Sequence, residues 1–173
     1  MNLKRISFVT LAFVGMGVGF NSIVSHADTS ALPSNSRIIL GAKIKFPSGG
    51  TAALLGFGDV HYEGENFFIG GAAYTGQISS GGISGSYTEA GILGGYTYTY
   101  NSSMNIIGQA LLGAGGGSSA GVAAAGFLVE PSIGVDIAAG HNLRIVPDIG
   151  YSYIPSTSTF SGFVFDVAIH FMN

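Results

Sequence analysis

From Arg37 onward apolar side chains recur at every second position, the period of a strand whose two faces meet different surroundings. In residues 37–46, Ile38, Leu40, Ala42, Ile44 and Phe46 share one face, and Arg37, Ile39, Gly41, Lys43 and Lys45 the other. Residues 126–139 set Phe127, Val129, Ile133, Val135 and Ile137 against Leu128, Glu130, Ser132, Gly134 and Asp136. Residues 162–171 set Phe163, Phe165, Val167, Ile169 and Phe171 against Val164, Asp166, Ala168 and His170. The same reading predicts strands over 52–62, 67–78, 87–100, 104–114 and 143–153, which makes eight. Beyond the N-terminus no apolar run approaches the roughly 18 residues of a membrane-spanning helix.

The connections alternate in character. Residues 63–66, 101–103 and 140–142 read as tight turns, whereas 79–86, 115–125 and 154–161 read as longer loops, with 118–125 a candidate short helical lid. Only 47–51 is short where a long loop is expected. Short turns at one end and longer loops at the other, with an even strand count, is the plan of outer-membrane barrels.

Which face carries charge decides the surroundings. Carried through all eight strands, the parity assigns Arg37, Lys43, Lys45, Asp59, Glu89, Glu130, Asp136, Arg144, Asp148, Asp166 and His170 to the mixed face and no charge to the apolar face. A Lys or Arg turned to lipid at the midplane costs about 2–4 kcal/mol, so this exclusion has a physical cause. A soluble barrel shows the reverse, a polar exterior around an apolar interior. The expected fold is therefore all-β, an eight-stranded antiparallel up-and-down transmembrane β-barrel over residues 36–173. Its interior charges form a lumen network.

Composition sharpens this picture. Only 9% of the 173 residues are charged, where about a quarter is usual, and 29 are glycine; mean hydropathy is +0.47. Residues 1–27 read as a signal peptide, with Lys4 and Arg5 before an apolar stretch and Ser25-His26-Ala27 as cleavage site. Residues 28–35 then form a short periplasmic tail. After cleavage, four basic residues face nine acids (4 − 9 = −5), which gives no clustered basic face for nucleic acid. With no cysteine, disulfides and thiolate metal sites are excluded.

Aromatics fall into two groups, Tyr62, Phe68, Tyr98, Tyr100 and Phe171 toward the end with the termini, and Phe46, Phe127, Tyr151, Tyr153 and Phe163 toward the other. Two such belts mark membrane interfaces. Gly41, Gly71, Gly95, Gly113 and Gly134 are assigned inward, and Gly70, Gly94 and Gly108 outward. Pro131 and Pro147 call for bulges or strand ends, because a closed barrel has no edge to hide a missing N–H.

The last strand carries the most specific motif. Gly162, Phe163, Phe165, Val167, Ile169 and Phe171 form an alternating run closing on an aromatic, although Met172 and Asn173 follow it. Over residues 36–173 the chain resembles the small OmpA/OmpX-like outer-membrane barrels. The resemblance implies a bacterial outer-membrane location, contact with outer-membrane lipid and with the barrel-assembly machinery, and a monomer. It does not fix a function, since such barrels host unrelated ones.

No cofactor, metal cluster or nucleotide motif is present in the sequence. Some barrels of this kind modify lipid, which needs a nucleophile, a base and an orienting acid within reach. The available bases, His61, His141 and His170, all map to the rim near the termini, with no serine motif beside them, so no catalytic residue is assigned. Eight strands leave room for side chains rather than an aqueous channel. The expected role is a non-enzymatic envelope component with a largely plugged polar lumen; the alternatives are passage of a small or apolar solute or ion, and lipid modification.

Overall fold

A computed structural model describes residues 10–11, 23–24, 35–48, 50–63, 65–80, 82–119 and 122–172. Residues 1–35, the expected signal peptide and tail, lie outside the described residues, apart from Asn35 and a two-residue antiparallel pairing of Thr10–Leu11 with Ile23–Val24.

Period-two alternation becomes eight strands: β1 Ser36–Pro47, β2 Thr51–Glu63, β3 Phe67–Ser80, β4 Ile83–Asn101, β5 Met104–Ser119, β6 Val122–Ala138, β7 Leu143–Ser152 and β8 Gly162–Met172. Each pairs antiparallel with its neighbours in sequence, and β8 closes on β1. Closure leaves no sheet edge, the condition for a sheet to survive in hydrocarbon. From Asn35, which accepts from Tyr62 N, the pairing runs through Phe68, Gly95, Gln109, Ser132, Gly150 and Val164 to Lys45. That is ten residues further along β1 (45 − 35 = 10). A stagger of ten over eight strands tilts them by about 40° to the axis.

The exterior is apolar. Leu55, Phe127 and Phe163 are 71%, 60% and 70% exposed, and β1 turns Ile38, Leu40, Ile44 and Phe46 outward with them. The eight steps from Ile38 to Phe46 rise roughly 20 Å along the axis at that tilt, close to the ~25 Å apolar band of outer-membrane barrels. Phe67, Tyr96, Tyr98 and Phe171 ring the end where β1 begins and β8 finishes, here the near end. Phe46, Phe127, Tyr153 and the edge-to-face pair Tyr151–Phe163 ring the far end.

The structure corrects the parity of two strands. In β2 the buried positions are Ala52, Leu54, Val60 and Tyr62, so exposed Asp59 faces outward beside Phe57 and leaves the lumen network. His61 shares that outer face. In β3 Phe68 is buried and Gly71 faces outward, so Tyr62 and Phe68 belong to the interior and Gly70 turns inward. A shift of one residue exchanges the faces of a whole strand. In β2 and β3 both faces are largely apolar, because their inner faces line the most hydrophobic part of the lumen.

Two expected loops are strand. Residues 79–80, 83–86, 115–119 and 122–125 extend the β3–β4 and β5–β6 ladders, pairing Ser80 with Ile83 and Ser119 with Val122, so the described residues of the expected lid are strand. Glycine, serine and alanine lack the alternation that signals a strand, yet the ladder satisfies their backbone. Outward Thr75···Thr88 and Ser86···Ser118 hydroxyl contacts mark where this wall leaves the apolar band. The prolines need neither bulge nor strand end: the β6–β7 register stays constant, and the ladder is interrupted where they fall.

Candidate functional site

Inward-facing polar groups collect in two layers separated by an apolar waist of Ile39, Val60, Ile107 and Val146. At the near end, Asp136 accepts hydrogen bonds from Arg37 (2.9 Å) and from Arg144 Nε, and its carbonyl accepts a second bond from Arg144 (3.1 Å). Arg37 also lies over the Tyr62 ring, 4.3 Å from its centre. His170 is buried in this layer, next to Arg144 in the β7–β8 register, and its Nδ1 has no hydrogen-bond partner.

The second layer lies in the far half. Lys43 Nζ donates to Glu89 and to Glu130, each at 2.5 Å, and sits 3.7 Å above the Tyr74 ring. Lys45, fully buried, donates to Glu89 (3.2 Å), to Ser152 (2.7 Å) and to the Tyr87 hydroxyl, which in turn donates to Glu89 (3.1 Å). Buried charges at this depth must be paired and hydrogen-bonded, because each costs several kcal/mol to desolvate. Tyr74 crosses the lumen to donate to Asp166 (2.8 Å), and Gln109 donates to Asp148 (3.0 Å). Glycine is required beneath the Tyr74 ring: a Cβ at Gly41 would lie 2.9 Å from its Cε1, and one at Gly56 would overlap it.

Two lysines thus face four carboxylates (2 − 4 = −2). Two oxygens of the layer, Glu130 Oε2 and Asp166 Oδ1, have no partner. Both residues line a cavity shared with Lys43, Tyr74, Gln109 and Asp148, which offers about 10 Å³ to water centres, room for one water.

Above this layer, Ile154 and Phe160 are buried at the far end of the lumen. The connection from β7 to β8 folds back as a short 3₁₀ turn, Ser158–Phe160, and plants Phe160 against Tyr87, ring centres 5.7 Å apart. Ile154 is buried alongside, its N–H held by Ser161 Oγ (2.9 Å), while Ser48 Oγ ties the turn to the β1–β2 connection (3.1 Å).

The structure therefore brings Lys43, Lys45, Glu89, Glu130, Asp148 and Asp166 into one layer and Arg37, Asp136, Arg144 and His170 into the other; only Asp59 of the expected network lies outside. The sequence reading missed Tyr74, Tyr87, Gln109, Ser152 and Phe160. Tyr87 carried a signal, a bulky polar-tipped residue at inward parity two positions before Glu89, whereas Tyr74 was hidden by the parity of β3 that the structure reverses. No catalytic arrangement emerges among the described histidines. Ser36 Oγ is 3.4 Å from His61 Nδ1 and Glu63 is 3.9 Å from His61 Nε2, both longer than a well-formed side-chain hydrogen bond. Among the described residues no group of three or more His, Asp or Glu is arranged to hold a metal.

A closed eight-stranded up-and-down barrel with an apolar outside and a charge-paired inside defines a class, the small barrels of the outer-membrane type. Among solved structures the chain is similar to Neisserial surface protein A, with TM-score 0.63 and 11% identity over 80% of this chain and 96% of that one. It is also similar to the N-terminal β-barrel domain of OprF from Pseudomonas aeruginosa, with TM-score 0.56 and 14% identity over 79% and 96%. A third likeness is to Ail, the attachment invasion locus protein of Yersinia pestis, solved in complex with the heparin analogue sucrose octasulfate (TM-score 0.53, 11% identity, 79% and 95% coverage). At these identities the likeness establishes the fold. No protein-family model matches the chain, and no match is found among curated proteins.

Proposed function

We propose that the chain is a bacterial outer-membrane protein that acts as a non-enzymatic envelope component with a closed lumen. Residues 1–27 direct its export and the barrel-assembly machinery inserts it, with lipid as its surroundings. The near end then faces the periplasm and the far end the outside. The observation that carries this reading is the pairing of an apolar exterior with an interior filled by the Lys43–Glu89–Glu130 layer and capped by Phe160. A conducting pore needs a continuous wet path, and the far-half layer has room for one water. The lack of a closely aligned nucleophile, base and acid among the described residues weighs against lipid modification.

In planar bilayers the protein is expected to show no steady current, and neither Asp148→Ala nor Asp166→Ala should create one. Steady single-channel conductance in the unaltered protein would overturn the closed-lumen reading in favour of solute passage. Outer-membrane fractions should hold a form that migrates faster on a gel before boiling than after.

A further inference from the structure

The barrel wall is weakest at one place, and that place backs onto the acidic cavity. Along β6 and β7, partners are made at Ser132–Gly150, Ile133–Ile149, Gly134–Asp148, Ile137–Ile145 and Ala138–Arg144, plus an isolated bridge at Val129–Tyr153. The breaks fall at Pro131, opposite Tyr151, and at Pro147, opposite Val135. Val129 and Tyr153 exchange both backbone hydrogen bonds (3.0 and 2.8 Å). Bonded pairs alternate with non-bonded ones, so Pro131 and Pro147 occupy positions that should each donate, to Tyr151 O and to Val135 O. Proline has no N–H to give. Two bonds are therefore missing from one ladder, in a setting where water cannot replace them.

Directly behind these breaks are Glu130, Ser132 and Asp148, all lining the cavity. Phe160 and Tyr87 lie between it and the far mouth, and the apolar waist lies between it and the near end. The upper break lies below the outward Phe127 and Tyr153. The cavity itself asks for a particular ligand. Its layer holds four carboxyl groups against two lysines, and Glu130 Oε2 and Asp166 Oδ1 are buried acceptors without donors, on residues only 5% and 4% exposed. Its size is that of one water, which is also that of an –NH₃⁺ group.

We propose that the β6–β7 seam opens laterally to admit the primary ammonium group of a membrane-dissolved amphiphile, which binds Glu130 and Asp166 while its tail stays between the strands. This rests on the membrane reading above and gives the solute-passage alternative a defined site and ligand class.

The test uses the protein extracted from membranes into zwitterionic micelles, with its carboxyl carbons followed by NMR. Decylammonium should give saturable shifts at Glu130 and Asp166. Decyltrimethylammonium, too bulky for the cavity, and methylammonium, which has no tail, should each need at least tenfold more for the same shift. Pro131→Ala with Pro147→Ala restores the two donors and should slow uptake at least tenfold while leaving the final shift unchanged. The Asp148 carboxyl, which lines the same cavity, should shift with Glu130 and Asp166, and Glu130→Gln with Asp166→Asn should abolish that Asp148 shift. Equal binding of the trimethyl probe, uptake unaffected by the proline changes, or no saturable shift in a sample that retains heat-shifted migration would each overturn this inference alone. Loss of heat-shifted migration in unaltered protein would overturn the membrane reading with it.

Discussion

Replacing Lys43 with methionine is the sharpest test of how the interior is held. Lys43 is 3% exposed and its ammonium is 2.5 Å from carboxylate oxygens of both Glu89 and Glu130. Without it, Glu89 keeps Lys45 at 3.2 Å. Glu130 is left with nothing, since its Oε2 already lacks a partner. Breaking a buried pair in this way costs about 3–5 kcal/mol, mostly because the orphaned carboxylate stays desolvated. Adding Glu130→Gln removes that orphan, so Lys43→Met with Glu130→Gln should recover about 2–3 kcal/mol of the loss, within the usual range of coupling between contacting groups. Guanidinium unfolding of the barrel in lipid vesicles, read by gel migration, measures all members of the cycle. A cost for Lys43→Met below about 1 kcal/mol, the value of an exposed ion pair, would refute the claim that this layer is a dry, paired network.

Further outcomes follow from the corrected faces and the packing. Asp59→Leu should stabilise the barrel in vesicles by up to about 1 kcal/mol, because the carboxylate sits on the lipid side near an interface, whereas Asp166→Leu should destabilise it by leaving the buried Tyr74 hydroxyl without its acceptor; the same unfolding assay separates the signs. Gly56→Ala should cost about 1–3 kcal/mol by forcing the Tyr74 ring aside, with loss of the Tyr74–Asp166 hydrogen bond visible in the hydroxyl proton resonance. Phe160→Ala uncaps the far mouth, yet bilayer current should stay at baseline, since the Lys43–Glu89–Glu130 layer still blocks the path below.

Strands with strong charge contrast were legible from the sequence. β1, β6 and β8 alternate between bulky apolar residues and Lys, Glu, Asp or His, and all three adopt the expected faces. β2 and β3 were not, because Leu54, Val60, Tyr62 and Phe68 make their inner faces as apolar as their outer ones; charge exclusion then pulled Asp59 to the wrong side. The far hairpins were hidden for another reason, since runs such as Gly115-Gly116-Gly117 have no side chains to report a face, although the backbone pairs through them. Layering of the lumen depends on strand tilt. Lys43 meets Glu89 and Glu130 only because a stagger of ten raises the distant strands to its level, and the sequence does not specify that stagger. The seam at Pro131 and Pro147 was visible as two ill-placed prolines, but that both interrupt one ladder emerged only with the register.

Nitroxide side chains placed in turn at positions 163 to 170 of β8, in lipid bilayers, test the central claim most directly through their access to oxygen and to a water-soluble nickel complex. Phe163, Phe165, Val167 and Ile169 should show high oxygen and negligible nickel access, with Val164, Asp166, Ala168 and His170 low in both, a period of two along the strand. Nickel access at the four outward positions matching that of a solvent-exposed loop would contradict a barrel that turns this face to hydrocarbon.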